Sequence, residues 1–297
     1  SSASNAIPAS SDRRALTDHS PPSVSCRFCG ADDWSFLAGF DAPPPGETDF
    51  GFSPYRRSLW QCGQCRHIVN VHAMDLDGIY DSDYWDRTYG GTRMAETFER
   101  IMALPPEKSD NRARVERVDA VVRELASLPA PGALLDVGSG LAVFPAAMRE
   151  KGWSCVALDP DARGAQHARD RAGVQAVAGD FMRVDLDRHF DLITFNKVLE
   201  HVLDPVAMLT RAGGFLKANG VVYVELPDGE GAIADSAGRE EFFVEHYDAY
   251  SVASLSLLAA QAGFRVDLIE RVRVPYLGLR LPQLFALEQL RQSNEGH

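Results

Sequence analysis

Two carboxylate–histidine doublets, Glu200-His201 and Glu245-His246, are groups able to move a proton. A carboxylate beside an imidazole can act as an acid/base pair or orient a substrate, so Glu245 and His246 are catalytic candidates. His201 joins them, with pocket shape and chemistry both open to it. A different chemistry comes from the cysteines. Cys26-x2-Cys29 and Cys62-x2-Cys65 are matched pairs with 32 residues between them. Each CxxC turn can present two thiolates to one tetrahedral ion. We expect one structural Zn2+ on Cys26, Cys29, Cys62 and Cys65. Four thiolates leave no open coordination position, so this ion folds a module and does not catalyse. A redox dithiol would need only one pair. The gap exceeds that of a compact ribbon, and Pro43-Pro44-Pro45-Gly46 reads as a loop inserted into it. His67 reads as a strand residue ahead of a substitute ligand, and Cys155 as a buried small hydrophobe.

The element that must position this chemistry is the stretch 133–142, ALLDVGSGLA. Residues 133–137 read as a short buried strand. Gly138 and Gly140 permit the tight turn and close backbone approach of a strand-to-helix nucleotide loop. From 143 a helix is expected, with Pro145 in its first turn, where a missing N–H costs little. Four more apolar runs follow: WSCVALD ending at Asp159, a run ending at Asp180-Phe181, FDLITF ahead of Asn196-Lys197, and VVYVE ending at Glu225. Asp159 lies 19 residues past Gly140, where a ribose diol would be gripped. Strands alternating with helices at this spacing predict an α/β fold with a parallel sheet and a ligand at the strand carboxyl ends. The first doublet then falls in the turn after strand four, and the second in the loop after strand five.

LLDVGSG, ALDPD, AGDF and FDLITFNKVLEHV, in that order, resemble the successive motifs of class I S-adenosylmethionine-dependent methyltransferases, over about residues 110–270. The resemblance implies a Rossmann-like, mostly parallel seven-stranded sheet with helices on both faces, and S-adenosyl-L-methionine as cofactor. It implies that Asp136, Gly138, Ser139 and Gly140 line the methionine end. Asp159, with Pro160 beside it, would take the ribose hydroxyls. Asp180 and Phe181 would frame the adenine, and Asn196 and Lys197 would border the transfer site. Ala142 stands where the family often has a third glycine, and its methyl is small enough for the loop to accept. A nicotinamide enzyme ranks lower, because GSGLA lacks the full GxGxxG and the GDF element has no role in that fold.

Bulk properties narrow the partners. A net charge of −12 argues against a nucleic-acid backbone as ligand. No apolar run reaches the ~20 residues of a membrane span, and no basic-then-apolar leader opens the chain, so a cytoplasmic protein without membrane attachment is expected. We divide the chain into a disordered, small and polar 1–22, a zinc-ribbon-like 23–75, an aromatic linker or lid 76–109, and the methyltransferase domain 110–297. The linker holds Tyr80, Tyr84, Trp85 and Tyr89, which either pack on the domain or cover the substrate. An amphipathic helix is predicted over 110–128, a helix starting at Pro205, a turn at Asn219-Gly220, and an N-cap at Ser251. Residues 264–274 read as a sixth strand, 276–281 as a seventh, and 282–292 as a final amphipathic helix.

The paired cysteines, the aromatic stretch, the methyltransferase core and the EH-x-x-x-Y-S element together resemble zinc-containing methyltransferases of sugar and natural-product pathways, some of which methylate carbon in nucleotide-linked deoxysugars. The resemblance implies that Glu245 and His246 remove a proton beside a ketone, that His201 is their partner, and that Tyr84 or Tyr80 holds the substrate. Phe243 stands where a tyrosine often precedes the EH pair, and the sugar C-methyltransferases continue into a further C-terminal domain. O- or N-methylation of a sugar or small metabolite therefore stands beside C-methylation. An RNA base methyltransferase and a non-catalytic binding protein are the rival classes. The negative charge speaks against the first, and the intact glycine loop with Asp159 against the second. Oligomeric state is not legible.

Overall fold

The computed structural model describes residues 21–76, 93–125, 131–274 and 281–289. Tyr80, Tyr84, Trp85 and Tyr89 lie outside them, as do residues 1–20 and most of the predicted seventh strand. Leu134, Leu135, Asp136 and Val137 are buried in strand β4 (Ala133–Val137). Burial on both faces explains a continuous apolar run in place of alternation. Strands β5 (Ser154–Asp159), β6 (Gln175–Ala178), β7 (Phe190–Asn196) and β8 (Leu216–Pro227) join it in parallel, in the order β6-β5-β4-β7-β8. Successive residues of β4 feed opposite layers. Leu134 packs with Val118, Val122 and Trp153, while Leu135 and Val137 pack with Leu209, Leu255 and Leu258. Val118 and Val122, both fully buried on the helix Asp110–Leu125, each contribute roughly 1.5–3 kcal/mol.

Two antiparallel strands extend the β8 edge, β11 (Leu281–Gln289) next to β8 and β10 (Arg265–Val274) outside it. The predicted final helix is thus a strand. Leu, Ala, Glu and Gln favour a helix locally, but this segment has a neighbour on each side, and two ladders of hydrogen bonds override that preference. Asn219-Gly220 is not a turn either. It lies inside β8, at the register shift between Phe190 and Leu192 of its partner β7.

The N-terminal cysteine module has strands β1 (Trp34–Phe40), β2 (Arg57–Cys62) and β3 (Ile68–His72) in an antiparallel sheet. A fourth strand, β9 (Asp248–Ala249), comes from far along the chain and pairs with β3. The sheet therefore crosses the boundary drawn at residue 75. Cys26, Phe28, Cys62 and Cys65 share a core with Tyr250, Leu255 and Leu258.

Candidate active site

Position and conformation set the nucleotide loop. The N–H groups of Gly138 and Ser139 donate to the Leu158 carbonyl at 2.8 and 3.2 Å, which ties the end of β4 to the end of β5. Gly138 has φ +69°, and a Cβ there would lie 2.7 Å from a Val198 methyl, so any side chain would be strained and would push Val198 aside. Ala142, at the predicted third-glycine position, also has positive φ (+55°) and is fully buried before the helix Val143–Glu150. The loop accommodates the methyl, and the left-handed backbone is strained.

Two buried carboxylates flank this loop. Asp159 accepts from the N–H of Gly140 and of Asp161, both at 2.9 Å, one on each oxygen. Burial pushes its pKa up to about 6 despite those bonds. Each oxygen keeps a second lone pair for an incoming hydroxyl. Asp136 accepts from Thr194 Oγ1 at 2.6 Å and from Asn196 Nδ2 at 2.9 Å, and burial raises it to about 6 as well. Asn196 Oδ1 is buried with no partner among the described residues. Carboxylates and an amide oxygen with unused acceptor capacity fit the hydroxyl and ammonium donors of S-adenosylmethionine. Asp180 and Pro160 are exposed at the ends of β6 and β5, and Lys197 is exposed with φ +57°. Phe181 departs from expectation. Its ring lies in the core against Phe195 and Phe215, so the ring does not frame an adenine.

The two doublets converge. The turn Leu199–His201 follows β7, and the loop before β9 folds onto it. His201 Nδ1 hydrogen-bonds the Glu245 carbonyl at 3.1 Å, and the Tyr247 N–H donates to the Glu200 carbonyl at 2.8 Å. The His201 and His246 rings meet edge to face with centroids 4.5 Å apart. His246 Nδ1 bonds the Glu241 carbonyl at 3.0 Å. With Nδ1–H donating to that carbonyl, Nε2 is the lone-pair nitrogen. One donor atom each of Glu200, His201 and His246 lies within 4.8 Å of the others. Burial keeps His246 neutral, down to about 4, and holds His201 well below the usual imidazole range. Burial raises Glu245 to about 7 and Glu200 to about 8. Glu200 is 1% exposed and its Oε2 has no partner among the described residues. The loop is not the solvated one its polar letters suggest, since Phe242, Val244 and Tyr250 are fully buried within and after it. Tyr84 lies outside the described residues.

The four cysteines come together. Cys26 and Cys65 Sγ are 3.5 Å apart, and Cys29 and Cys62 Sγ 3.4 Å. All four sulfurs lie within 4.8 Å of one another, which fits the ~3.8 Å edge of a tetrahedron with Zn–S bonds of ~2.3 Å. His67 points elsewhere, its Nε2 2.8 Å from Asp248 Oδ1. Cys155 is a buried apolar residue.

Sequence reasoning passed over three groups. Thr194 orients Asp136. Arg114 forms a buried pair with Glu225 and also bonds Asp110. Asn70, in the cysteine module, reaches the second doublet's loop. Glu225 had a signal, a carboxylate at a strand end. Asn70 had none, because only tertiary pairing brings it there.

The Methyltransferase domain family (Methyltransf_23) matches residues 110–269, and the chain belongs to it. Among solved structures, the 1,6-didemethyltoxoflavin-N1-methyltransferase of Burkholderia thailandensis, crystallised with 1,6-didemethyltoxoflavin and S-adenosylhomocysteine, superposes with TM-score 0.52 at 20% identity. The match covers 84% of this chain and 99% of that one, and shows the fold to be the Rossmann-like methyltransferase fold. The C-methyltransferase NovU of Streptomyces niveus is 23% identical over 263 residues, covering 82% of this chain and 57% of that protein. A ubiquinone biosynthesis O-methyltransferase of Histophilus somni is 29% identical over 101 residues, 30% of this chain and 42% of that protein. The chain thus spans about half the length of the curated relatives it matches. No helix among the described residues is long and apolar enough to cross a membrane.

Proposed function

We propose that the chain methylates a carbon acid of a small molecule, a nucleotide-linked keto-sugar, using S-adenosylmethionine, and that its four cysteines hold one structural Zn2+. The observation behind the chemistry is the convergence of both carboxylate–histidine doublets, the turn after β7 meeting the loop before β9 with the His201 and His246 rings edge to face. The likeness to a C-methyltransferase along most of the chain supports carbon as the acceptor. The bound cofactor supplies a methyl group already activated on a sulfonium. The protein's part is therefore to align the acceptor and to take its proton. Neutral His246, fixed by the Glu241 carbonyl, offers Nε2 to the proton on the carbon beside the ketone. The electron pair left on that carbon forms the new C–C bond to the methyl, and the S–CH3 pair leaves with sulfur. Glu200, whose carboxylate lies within 4.8 Å of a ring nitrogen of both histidines, can pass the proton on, and the His201 ring meets His246 edge to face. Asp159 holds the ribose, and Asp136 with Asn196 the methionine end.

Solvent exchange tests this directly. The protein is incubated in D2O with a thymidine-diphosphate-linked 4-keto-6-deoxyhexose and S-adenosylhomocysteine. Deuterium should enter the carbon beside the ketone, and the His246→Ala variant should lose at least 100-fold of that rate, the range of a general base. No exchange above the uncatalysed rate would reject carbon acid chemistry on this probe.

A further inference from the structure

We infer that the cysteine module positions the Glu245-His246 loop, with Asn70 as the positioning residue. This inference rests on the proposed role of that loop. On the Rossmann-like side, His201 Nδ1 hydrogen-bonds the Glu245 carbonyl and the Tyr247 N–H donates to the Glu200 carbonyl. The cysteine module holds it on the other side. Asn70 Nδ2 lies 3.1 Å from the Phe243 carbonyl, 3.3 Å from that of His246 and 3.4 Å from that of Phe242, so its two N–H bonds serve three acceptors. The Asn70 backbone N–H donates to the Tyr247 carbonyl at 3.1 Å.

A buried ion pair sits beside this clamp. Arg57 and Glu47 meet at 2.9 Å with both side chains fully buried. Arg57 donates to the Phe242 carbonyl at 2.7 Å, and Glu47 accepts from the Val244 N–H at 2.9 Å. Glu47 follows the triple proline, so the insertion between the cysteine pairs delivers a loop anchor. Beyond the doublet, β9 pairs with β3, Asp248 bonds His67, and Ser251 Oγ donates to the carbonyl of Cys65. Ser251 also caps the helix Val252–Gln261 through a capping box with Ser254.

The backbone on both sides of His246 is therefore referred to the module. Two imidazoles meeting edge to face at 4.5 Å keep that geometry only while the loop stays fixed to both sides. Of the anchors, Asn70 alone touches the His246 carbonyl, and it carries no charge whose loss would unfold the module. The donor direction gives the test. Serine keeps one donor, alanine keeps none, and aspartate turns an acceptor toward three carbonyl oxygens.

Asn70→Ser, Asn70→Ala and Asn70→Asp are made in the full chain. Zinc content is read by native mass spectrometry, S-adenosylmethionine affinity by calorimetry, and amide hydrogen exchange along the chain. We expect unchanged zinc and cofactor affinity, and faster exchange at the His246 and Tyr247 amides in the order Ser, Ala, Asp, about tenfold for alanine. Amides of residues 136–142 should keep wild-type rates. On the keto-sugar probe, proton exchange should fall in the same order at unchanged cofactor affinity. Wild-type exchange at His246 and Tyr247 in all three variants would overturn the inference. So would aspartate matching asparagine, or an equal change throughout the chain. Absence of proton exchange in the wild type would reject the proposed chemistry alone, and the amide data would still decide the positioning.

Discussion

Replacing Asp159 with asparagine separates the cofactor site from the stability of the fold. Asp159 is 5% exposed, and each of its oxygens accepts one backbone N–H. Asparagine has nearly the same shape, but it removes the charge and sets an NH2 against one of those donors. Losing a charge-assisted hydrogen bond to a ribose hydroxyl costs about 1.5–3 kcal/mol, or roughly a 10- to 150-fold weaker Kd. The pH dependence should change too. Because burial raises Asp159 to about 6, the wild type must release a proton to bind below that pH. At pH 5 this one group weakens binding about 11-fold relative to its high-pH limit. Asp136, also near 6, steepens the wild-type profile further, so Asp159→Asn should lose one proton's worth of slope and keep the other. Stability runs the opposite way. A folded pKa above the unfolded 3.8 means the native state binds more protons between pH 4 and 6, so this group's contribution falls as pH rises through that window. The cofactor-free variant should therefore be at least as stable as wild type at pH 7.5. Calorimetric titration across pH 5–8 and urea unfolding measure both effects. Unchanged affinity at pH 7.5, or a variant more than about 1 kcal/mol less stable, would refute the reasoning.

Among the described residues, Glu225→Gln leaves Arg114 buried with only Asp110 as an anionic partner and should destabilise by about 3 kcal/mol, the low end for a broken buried pair, read by urea unfolding at pH 7. The Arg114 guanidinium, working against burial, holds Glu225 down to about 2, so its stabilisation is complete above pH 4.5 and is lost as pH falls through 2. The variant and wild-type acid-unfolding curves should therefore converge at low pH. Ala142→Gly relieves roughly 1 kcal/mol of left-handed strain and forfeits about 0.8 kcal/mol of methyl burial, so thermal unfolding should move little. A loss above about 2 kcal/mol would show that the methyl packs better than the backbone strains.

The nucleotide loop was legible because its cause is local. Gly138 must adopt positive φ, and the carboxylate at the end of β5 follows from strand length and helix length alone. The cysteine pairs were legible by spacing. His201 and His246 were legible as residue types, but only the family resemblance paired them, since 44 residues separate His201 from the Glu245 carbonyl it bonds. The place of the Phe181 ring was not legible, because its packing against Phe195 and Phe215 is set by tertiary contacts and not by the motif. Residues 281–289 were misread because helix propensity is a local quantity, and the two antiparallel neighbours that make them a strand are not. The pairing across the division at residue 75 was hidden for the same reason. Strand β9 has two residues and no sequence signal, yet it joins the module's sheet to the Glu245-His246 loop.

The most direct test of carbon methylation uses S-adenosylmethionine labelled with 13C at the methyl group, the thymidine-diphosphate-linked 4-keto-6-deoxyhexose, and the purified protein, followed by NMR of the product. The account predicts a new labelled methyl coupled to a ring carbon beside the ketone, absent with His246→Ala. A labelled methyl on oxygen or nitrogen, or no transfer to this probe, would contradict it.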